Sequence, residues 1–267
     1  MPSVPSVENK VPRLTDPAEI RAILETDRAW AIYALGDLAP GFFEVSEWHH
    51  TPGSEPALAL LYRAFETPVL FTLGQPETVE TLLHEVGAER SMYLSIRPEI
   101  LPLIKKRWRV EHEMAMWRMT VTAADFRPAS EHGVVKLGLA DLPALRELYA
   151  DGRPTGEVPD FFNPEMVDLG VFYGIREGEG LIAAAGTHLV APSESVGAVG
   201  NVYTRRDRRG SGLAARTASA VTAELLAMNL RTIALNVNRQ NAAAIRVYEK
   251  LGYRRYCPFY EGVAIKD

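Results

Sequence analysis

The run Val202-Tyr203-Thr204-Arg205-Arg206-Asp207-Arg208-Arg209-Gly210-Ser211-Gly212-Leu213-Ala214 joins a β-branched strand to a helical pattern through a basic turn interrupted by glycines. Such a turn can hold a pyrophosphate. Glycine at 210 and 212 lets the backbone adopt positive φ and approach a ligand, so that successive N–H groups converge on one point. The helix that follows adds the positive end of its dipole. Ala214, Ala218, Val221 and Leu225 recur at i, i+4, i+7 and i+11, which lets one stripe face a sheet while Arg216 and Glu224 stay in water.

Three phosphate-binding designs compete for this turn. Gly210 to Ala215 fits the dinucleotide pattern G-x-G-x-x-A, but that pattern wants its first glycine directly off the strand and an acid about twenty residues later. Arginines intervene after Thr204, and the next strand, Thr232 to Val237, carries Leu235 and Asn236 where the acid belongs. A nucleotide P-loop needs Gly-Lys-Ser/Thr at the helix start, and Leu213 follows Gly212. The third design, the acyl-coenzyme A loop R/Q-x-x-G-x-G/A, is matched at every fixed position by Arg209, Gly212 and Ala214.

Downstream, Asn241 is a natural N-cap and Gly252 suits the left-handed residue after a helix. Asn241, Ala244, Tyr248 and Gly252 fall at i, i+3, i+7 and i+11, so one helix face carries an amide, a small gap and a phenol. With Tyr253 this reads N-x-x-A-x-x-x-Y-x-x-x-G-F/Y. At these two signatures the chain resembles the GNAT acetyltransferase superfamily, over roughly Val134 to the C-terminus. The resemblance implies an α/β mixed-sheet acyl-CoA N-acyltransferase fold and acetyl-CoA as acyl donor. It implies cofactor contacts from Val202, Tyr203, Thr204, Arg208, Arg209, Gly210, Ser211, Gly212, Leu213, Ala214, Asn241, Ala244 and Tyr248. It also implies that the strand ending at Thr204 splays from its neighbour to pair with the pantetheine, where Asn241 would hydrogen-bond the arm or a phosphate.

Acyl transfer from a thioester to an amine needs a neutral nucleophile, a polarised carbonyl and a proton for the departing thiolate. A thiol near 8.5 and a phenol near 10 differ by about 2 kcal/mol, so Tyr248 is the candidate acid. The base is harder to find. A lysine-like amine is neutral in about one molecule in 2,500 at pH 7, an α-amine in about one in ten. Many superfamily members place a glutamate on the strand before the pyrophosphate loop, but Val196 to Thr204 contains no carboxylate. His188, Glu157, Asp160 and a water chain remain as candidates, His188 also being a candidate structural residue. His49-His50 and Glu111-His112-Glu113 lack the H-E-x-x-H spacing of a zinc site, and no metal is expected. Ser211 is not a hydrolase nucleophile, because Arg209 occupies the first glycine position of G-x-S-x-G.

Composition is that of an ordinary globular chain: 267 residues, 47% apolar, formal charge −5. The charge argues against nucleic-acid binding and makes the arginine cluster a local funnel for a polyanion, the alternative being a solvated arginine face. Cys257 is the only cysteine, which excludes intramolecular disulfides and thiolate zinc sites. No apolar stretch reaches membrane-spanning length and the start lacks a signal-peptide core, so no membrane partner and a cytoplasmic location are expected.

Periodicity predicts a helix over 16–37, strands over 42–48, 57–64 and 69–73, a helix over 76–86, a strand over 91–96, a helix over 98–107 and a strand over 110–122. The polar segment 122–133 reads as a junction between domains 1–127 and 128–267. A strand over 134–137, a helix over 142–149 and a β-rich stretch over 171–204 follow. The order helix, strand, helix, aromatic in Val79 to Trp108 repeats in Thr217 to Tyr253, Ser91 to Ile96 standing for Thr232 to Val237. The first half therefore reads as a degenerate GNAT copy, without the glycine turn, the alternative being an unrelated lid. The tandem arrangement loosely resembles glycine N-acyltransferase relatives.

The segment 151–163, with turn residues before Asp160, Phe161 and Phe162, reads as an acceptor loop, or as a phenylalanine pair closing the core. The expected function is acetyl-CoA-dependent acyl transfer to the amine of a small molecule or an amino terminus. A noncatalytic acyl-CoA sensor and an acyltransferase for longer chains or oxygen acceptors are the alternatives.

Overall fold

The first helix begins where Asp16 accepts a hydrogen bond from Ala18 N at 2.9 Å and Pro17 presets the first helical φ. A computed structural model describes residues 13–53, 56–159 and 162–266. The periodic stretch expected as one helix over 16–37 is two, α1 (Pro17–Leu24) and α2 (Ile32–Gly36), separated by a 3-10 turn at Glu25–Asp27. The strand expected at 42–48 starts later, as β1 (Ser46–Thr51). Local side-chain bonds hold the preceding residues in a turn: Glu44 accepts from Gly41 N at 2.7 Å and Ser46 Oγ donates to Phe42 O at 2.8 Å. The remaining elements are β2 (Ala57–Tyr62), β3 (Val69–Leu73), α3 (Pro76–Glu85), β4 (Ser91–Ile96), α4 (Leu101–Lys105), β5 (Arg109–Val121) and β6 (Val134–Leu137). Then come α5 (Leu142–Ala150), α6 (Glu165–Leu169), β7 (Phe172–Glu177), β8 (Gly180–Ala191), β9 (Val196–Thr204), α7 (Leu213–Ala227), β10 (Thr232–Asn238), α8 (Ala242–Lys250) and β11 (Arg254–Ile265).

The chain divides into two units. The first holds residues 13–27, 40–114 and 259–266, and the second 28–39 and 115–258. In the first, β1, β2 and β3 form an antiparallel meander, α3 crosses over, and β4 lies parallel to β3. Residues 260–265 of β11 then pair antiparallel with β4. In the second, β6, β7, β8 and β9 are antiparallel, α7 crosses over, and β10 lies parallel to β9. Residues 116–121 of β5 pair antiparallel with β10. Apart from the additional first strand β6, the two runs repeat one topology.

The junction expected at 127/128 lies inside the second unit. Hydrogen bonding explains the difference: the end of β5 is a sheet partner of β10, and the end of β11 is a sheet partner of β4. The segment 28–39 also belongs with the second unit. Arg28 Nε donates to Thr232 Oγ1 at 2.8 Å and Nη2 donates to Ser195 O at 3.1 Å, and Gly36 packs so closely on Leu189 that a Cβ there would overlap it.

Alternation along the second sheet separates its faces. Ile233, Leu235 and Val237 of β10 and Met119 and Val121 of β5 join Ala218, Val221, Leu225, Ile245 and Tyr248 in one apolar cluster under α7 and α8. The opposite face carries α5, whose Leu145, Leu148 and Tyr149 pack with Phe172, Ala184 and Tyr203. No described helix is long and apolar enough to cross a membrane.

Candidate active site

Two strands part at the centre of the second unit. Pairing of β9 with β10 runs from Val196↔Thr232 to Val199↔Leu235 and stops, although β9 continues to Thr204 and β10 to Asn238. Beyond that point the N–H and C=O groups on the facing edges lack ladder partners, which is how a sheet can accept an extended ligand. The β8–β9 pairing is irregular here, and Asn201 sits at φ +51°. Tyr149 Oη supports that conformation by donating to Asn201 O at 2.9 Å, and Asn201 Nδ2 donates to Thr187 O at 3.2 Å. Thr204 Oγ1 and Asn201 Oδ1 are buried without a hydrogen-bond partner among the described residues, a cost that a polar ligand in the gap would remove.

Immediately past β9, Gly210 and Gly212 adopt φ +83° and +78°, and Gly212 is the N-cap of α7. Nothing lies within 4 Å of where their Cβ atoms would be. The hollow above the helix N-terminus is therefore open, its free N–H groups directed into it. Ser211 Oγ does not point there; it donates to Arg208 O at 2.6 Å. Leu213 is buried against Ile175, Ile182 and Ala183 and anchors the turn through packing.

The arginines expected as a cationic funnel are each paired. Arg209 makes two parallel bonds to Glu157 at 3.0 Å, and Arg206 reaches Asp151 at 3.4 Å. Arg208 and Arg205 bind Glu177 at 2.6 and 3.0 Å, and both also contact Asp207. Four arginines thus face four carboxylates, Asp151, Glu157, Glu177 and Asp207, and their charges cancel locally. Exposed pairs of this kind are worth about 0–1 kcal/mol, so an incoming diphosphate could exchange with them. Glu157 is committed to Arg209, whose hydrogen bond holds its carboxyl below the usual range, which makes it a weak proton acceptor. Asp151 also accepts from Tyr203 Oη at 2.9 Å, tying the end of α5 to β9.

On α8, Asn241 Oδ1 accepts from Ala244 N at 3.0 Å, so that oxygen caps the helix. Tyr248 is buried in the cluster under α7, 6.0 Å from the Tyr253 ring, and burial pushes its hydroxyl up to about 12. Asp160 and Phe161 lie outside the described residues. Phe162 packs edge-on against Tyr149 at 4.9 Å and near Phe172 at 6.2 Å, within the cluster behind α5, which is the core-closing role.

His188 lies on β8 with its imidazole over Gly200, where a Cβ would overlap the ring. Its Nδ1 is 3.2 Å from Tyr33 Oη, and its buried Nε2 has no hydrogen-bond partner among the described residues. Burial, and next the charge of Arg118, lower its pKa to about 4, so the ring is uncharged at neutral pH. Arg118, fully buried on β5 opposite Asn236, stacks its guanidinium 5.3 Å from Trp30 and 4.8 Å from Tyr33. One turn past Tyr33, half-buried Asp37 ends α2, and burial raises its carboxyl to about 8.

Sequence patterns did not single out Tyr33, Asp37 or Arg118. Only a charge between Trp117 and Met119, mid-strand, and the i, i+4 spacing of Tyr33 and Asp37 hinted at them.

Residues 172–260 match the family model described as FR47-like protein, from the start of β7 into β11. No curated protein matches the chain. Among solved structures, a GNAT-family protein from Novosphingobium aromaticivorans is 23% identical with a TM-score of 0.57, over 81% of this chain and 90% of its own. A GCN5-related N-acetyltransferase from Kribbella flavida is 17% identical with a TM-score of 0.60, over 88% and 94%. A tandem GNAT protein from the clavulanic acid biosynthesis pathway is 13% identical with a TM-score of 0.52, over 95% and 97%. Together with the repeated strand–helix–strand topology, these similarities show that the chain has the GNAT acetyltransferase fold, residues 172–258 of its FR47-like segment falling in the second unit.

Proposed function

We propose that the protein is an acetyl-CoA-dependent N-acetyltransferase acting on the amine of a small molecule or an amino terminus. The observation that carries this reading is the parting of β9 from β10 directly ahead of the open double-glycine turn. Bound acetyl-CoA would supply a thioester, an acyl group already activated toward amines. The free edge of β9 at Asn201 to Thr204 suits a pantetheine amide chain, and a backbone N–H there can polarise the carbonyl. Leu213 to Ala215, at the start of α7, present the N–H groups that a diphosphate needs, the Arg216 N–H being already bonded to Gly212 O. His188, held neutral beside Gly200, can accept or donate one hydrogen bond but is a poor sink for an ammonium proton.

The test is release of free thiol from acetyl-CoA with a panel of primary amines, α-amino peptides and polyamines. Amine-dependent release supports the reading. Binding of CoA without turnover of any acyl donor would favour an acyl-CoA sensor, and faster turnover of longer acyl donors would redefine the donor.

A further inference from the structure

The place of the thioester follows from the two ends of its carrier. With a diphosphate on the N–H groups of Leu213 to Ala215, the pantetheine arm runs back along the free edge of β9, from Thr204 toward Gly200. That stretch of strand is about 13 Å long at about 3.3 Å per residue, which is the reach of an extended pantetheine, so the acyl group ends beside Gly200. Gly200 is the first β9 residue past the pairing with β10. His188 is brought to the same place from the neighbouring strand. Thr187 pairs with Val199 and Leu189 with Ala198, so His188 is an extra residue on β8 with no cross-strand partner. A bulge of this kind re-aims one side chain. The ring is turned over Gly200 so closely that a Cβ there would lie 2.3 Å from Nε2. Gly200 does not have a positive φ, so what its missing Cβ provides is room for the imidazole. Nε2 is buried and makes no hydrogen bond among the described residues, a state that a polar atom arriving in the gap would relieve.

The other ring nitrogen fixes the tautomer. Tyr33 Oη lies 3.2 Å from Nδ1, and the Arg118 guanidinium stands 4.8 Å from the centre of the Tyr33 ring. A phenol donates more strongly than a neutral imidazole N–H, and a cation over its ring strengthens that donor by stabilising negative charge on oxygen. Tyr33 therefore donates to Nδ1, which leaves the ring proton on Nε2. Burial, and next Arg118, keep the imidazole from taking a second proton near neutral pH. A neutral imidazole with one fixed N–H is a poor base and a good hydrogen-bond donor to a carbonyl.

We infer that His188 donates its Nε2–H to the thioester oxygen as that oxygen becomes an oxyanion, with Tyr33 as the residue that positions the ring; the inference rests on the acyl-transfer reading above. The acceptor first loses its ammonium proton to water. Its nitrogen lone pair then forms the C–N bond while the C=O π pair moves onto oxygen, where a β9 backbone N–H and His188 Nε2–H hold it. No proton leaves His188. When the carbonyl re-forms, the C–S bond breaks with its electron pair on sulfur, and a proton passes from nitrogen to sulfur through Tyr248 or water.

The test compares wild type with His188→Leu and His188→Gln in thiol release from acetyl-CoA, using the fastest amine of the panel above. Leucine removes the donor, whereas glutamine restores an N–H but cannot take up a proton. His188→Leu should lose about 10²-fold in kcat, as expected for one oxyanion donor, with the acetyl-CoA KM and the CoA-induced thermal shift unchanged, and His188→Gln should recover about tenfold of that loss. Gly200→Ala keeps the imidazole but displaces it, so kcat should fall there too. Nitrogen-15 NMR of the wild type, which needs no substitution, should show a histidine protonated on Nε2 and neutral down to about pH 5. Tyr33→Phe should mix the two tautomers of that ring and lower kcat in step. Equal losses in His188→Gln and His188→Leu would make the ring a proton acceptor and overturn the inference, as would wild-type kcat in His188→Leu or an Nδ1–H tautomer in the wild type. Absence of amine-dependent thiol release from the wild type overturns the acyl-transfer reading and the inference with it.

Discussion

Tyr248 shows how burial changes the worth of a catalytic group. At an ordinary phenol pKa, protonating a thiolate would cost about 2 kcal/mol, whereas from about 12 the gap to a thiol is about 5 kcal/mol. The buried hydroxyl is better suited to donating a hydrogen bond to sulfur than to surrendering its proton. Tyr248→Phe keeps the ring against Tyr253 and Ile245, so Tm and CoA affinity should stay near wild type. General-acid assistance is typically worth about 10² to 10⁴-fold, and here kcat should fall by no more than the lower figure, with the acetyl-CoA KM little changed. An unchanged kcat in steady-state thiol release, confirmed by single turnover, would leave Tyr248 a packing residue.

At the scale of the element, the turn between β9 and α7 works through backbone geometry more than through charge. Its arginines are balanced by Asp151, Glu157, Asp207 and Glu177, so convergent N–H groups must supply most of the anion affinity. Gly212→Ala tests the positive φ alone, at a strain cost of about 1–2 kcal/mol. Gly212→Asp adds a negative charge over the helix N-terminus, where the open space gives it room. Both variants should show similar loss of Tm, but only Gly212→Asp should abolish the CoA-induced shift in a thermal melt. Equal shifts in both would remove the diphosphate from this turn. These parts were legible in the sequence because they are local: glycine spacing, an N-cap at Asn241 and helical periodicity need no knowledge of distant residues. What stayed hidden is set by long-range pairing. Nothing near Asp37 shows that α2 packs on β8, and nothing near Glu157 shows that Arg209 holds it. The alternation in β5 was readable, but not that Arg118 would face Tyr33 and Trp30. Even the break at 25–31 in the expected long helix follows from docking of Arg28 on Thr232 and Ser195, residues far along the chain.

For the whole molecule, two runs of one topology raise the question of how many cofactors bind. The crossover helix of the first unit, α3, corresponds to α7 in following the last strand of an antiparallel meander and leading to a parallel strand. Its entrance is built differently. Gly74 takes φ +126°, but a Cβ there would overlap Ala57, so its open side is filled by protein. Pro76 occupies the first turn of α3 and removes an N–H where α7 offers one. The turn Thr72-Leu73-Gly74-Gln75-Pro76 also lacks any arginine. A diphosphate has neither the space nor the donors to bind there. Titration calorimetry should therefore give one CoA per chain, and Gly212→Asp should remove that single event rather than half of the heat. In scanning calorimetry, CoA should raise only the transition of the unit that contains α7, because a ligand stabilises what it binds by mass action. Should the chain melt in one transition, the stoichiometry still decides the matter: two sites per chain, or a residual site of similar affinity in Gly212→Asp, would show that the first unit retains a working cradle despite Pro76 and Ala57.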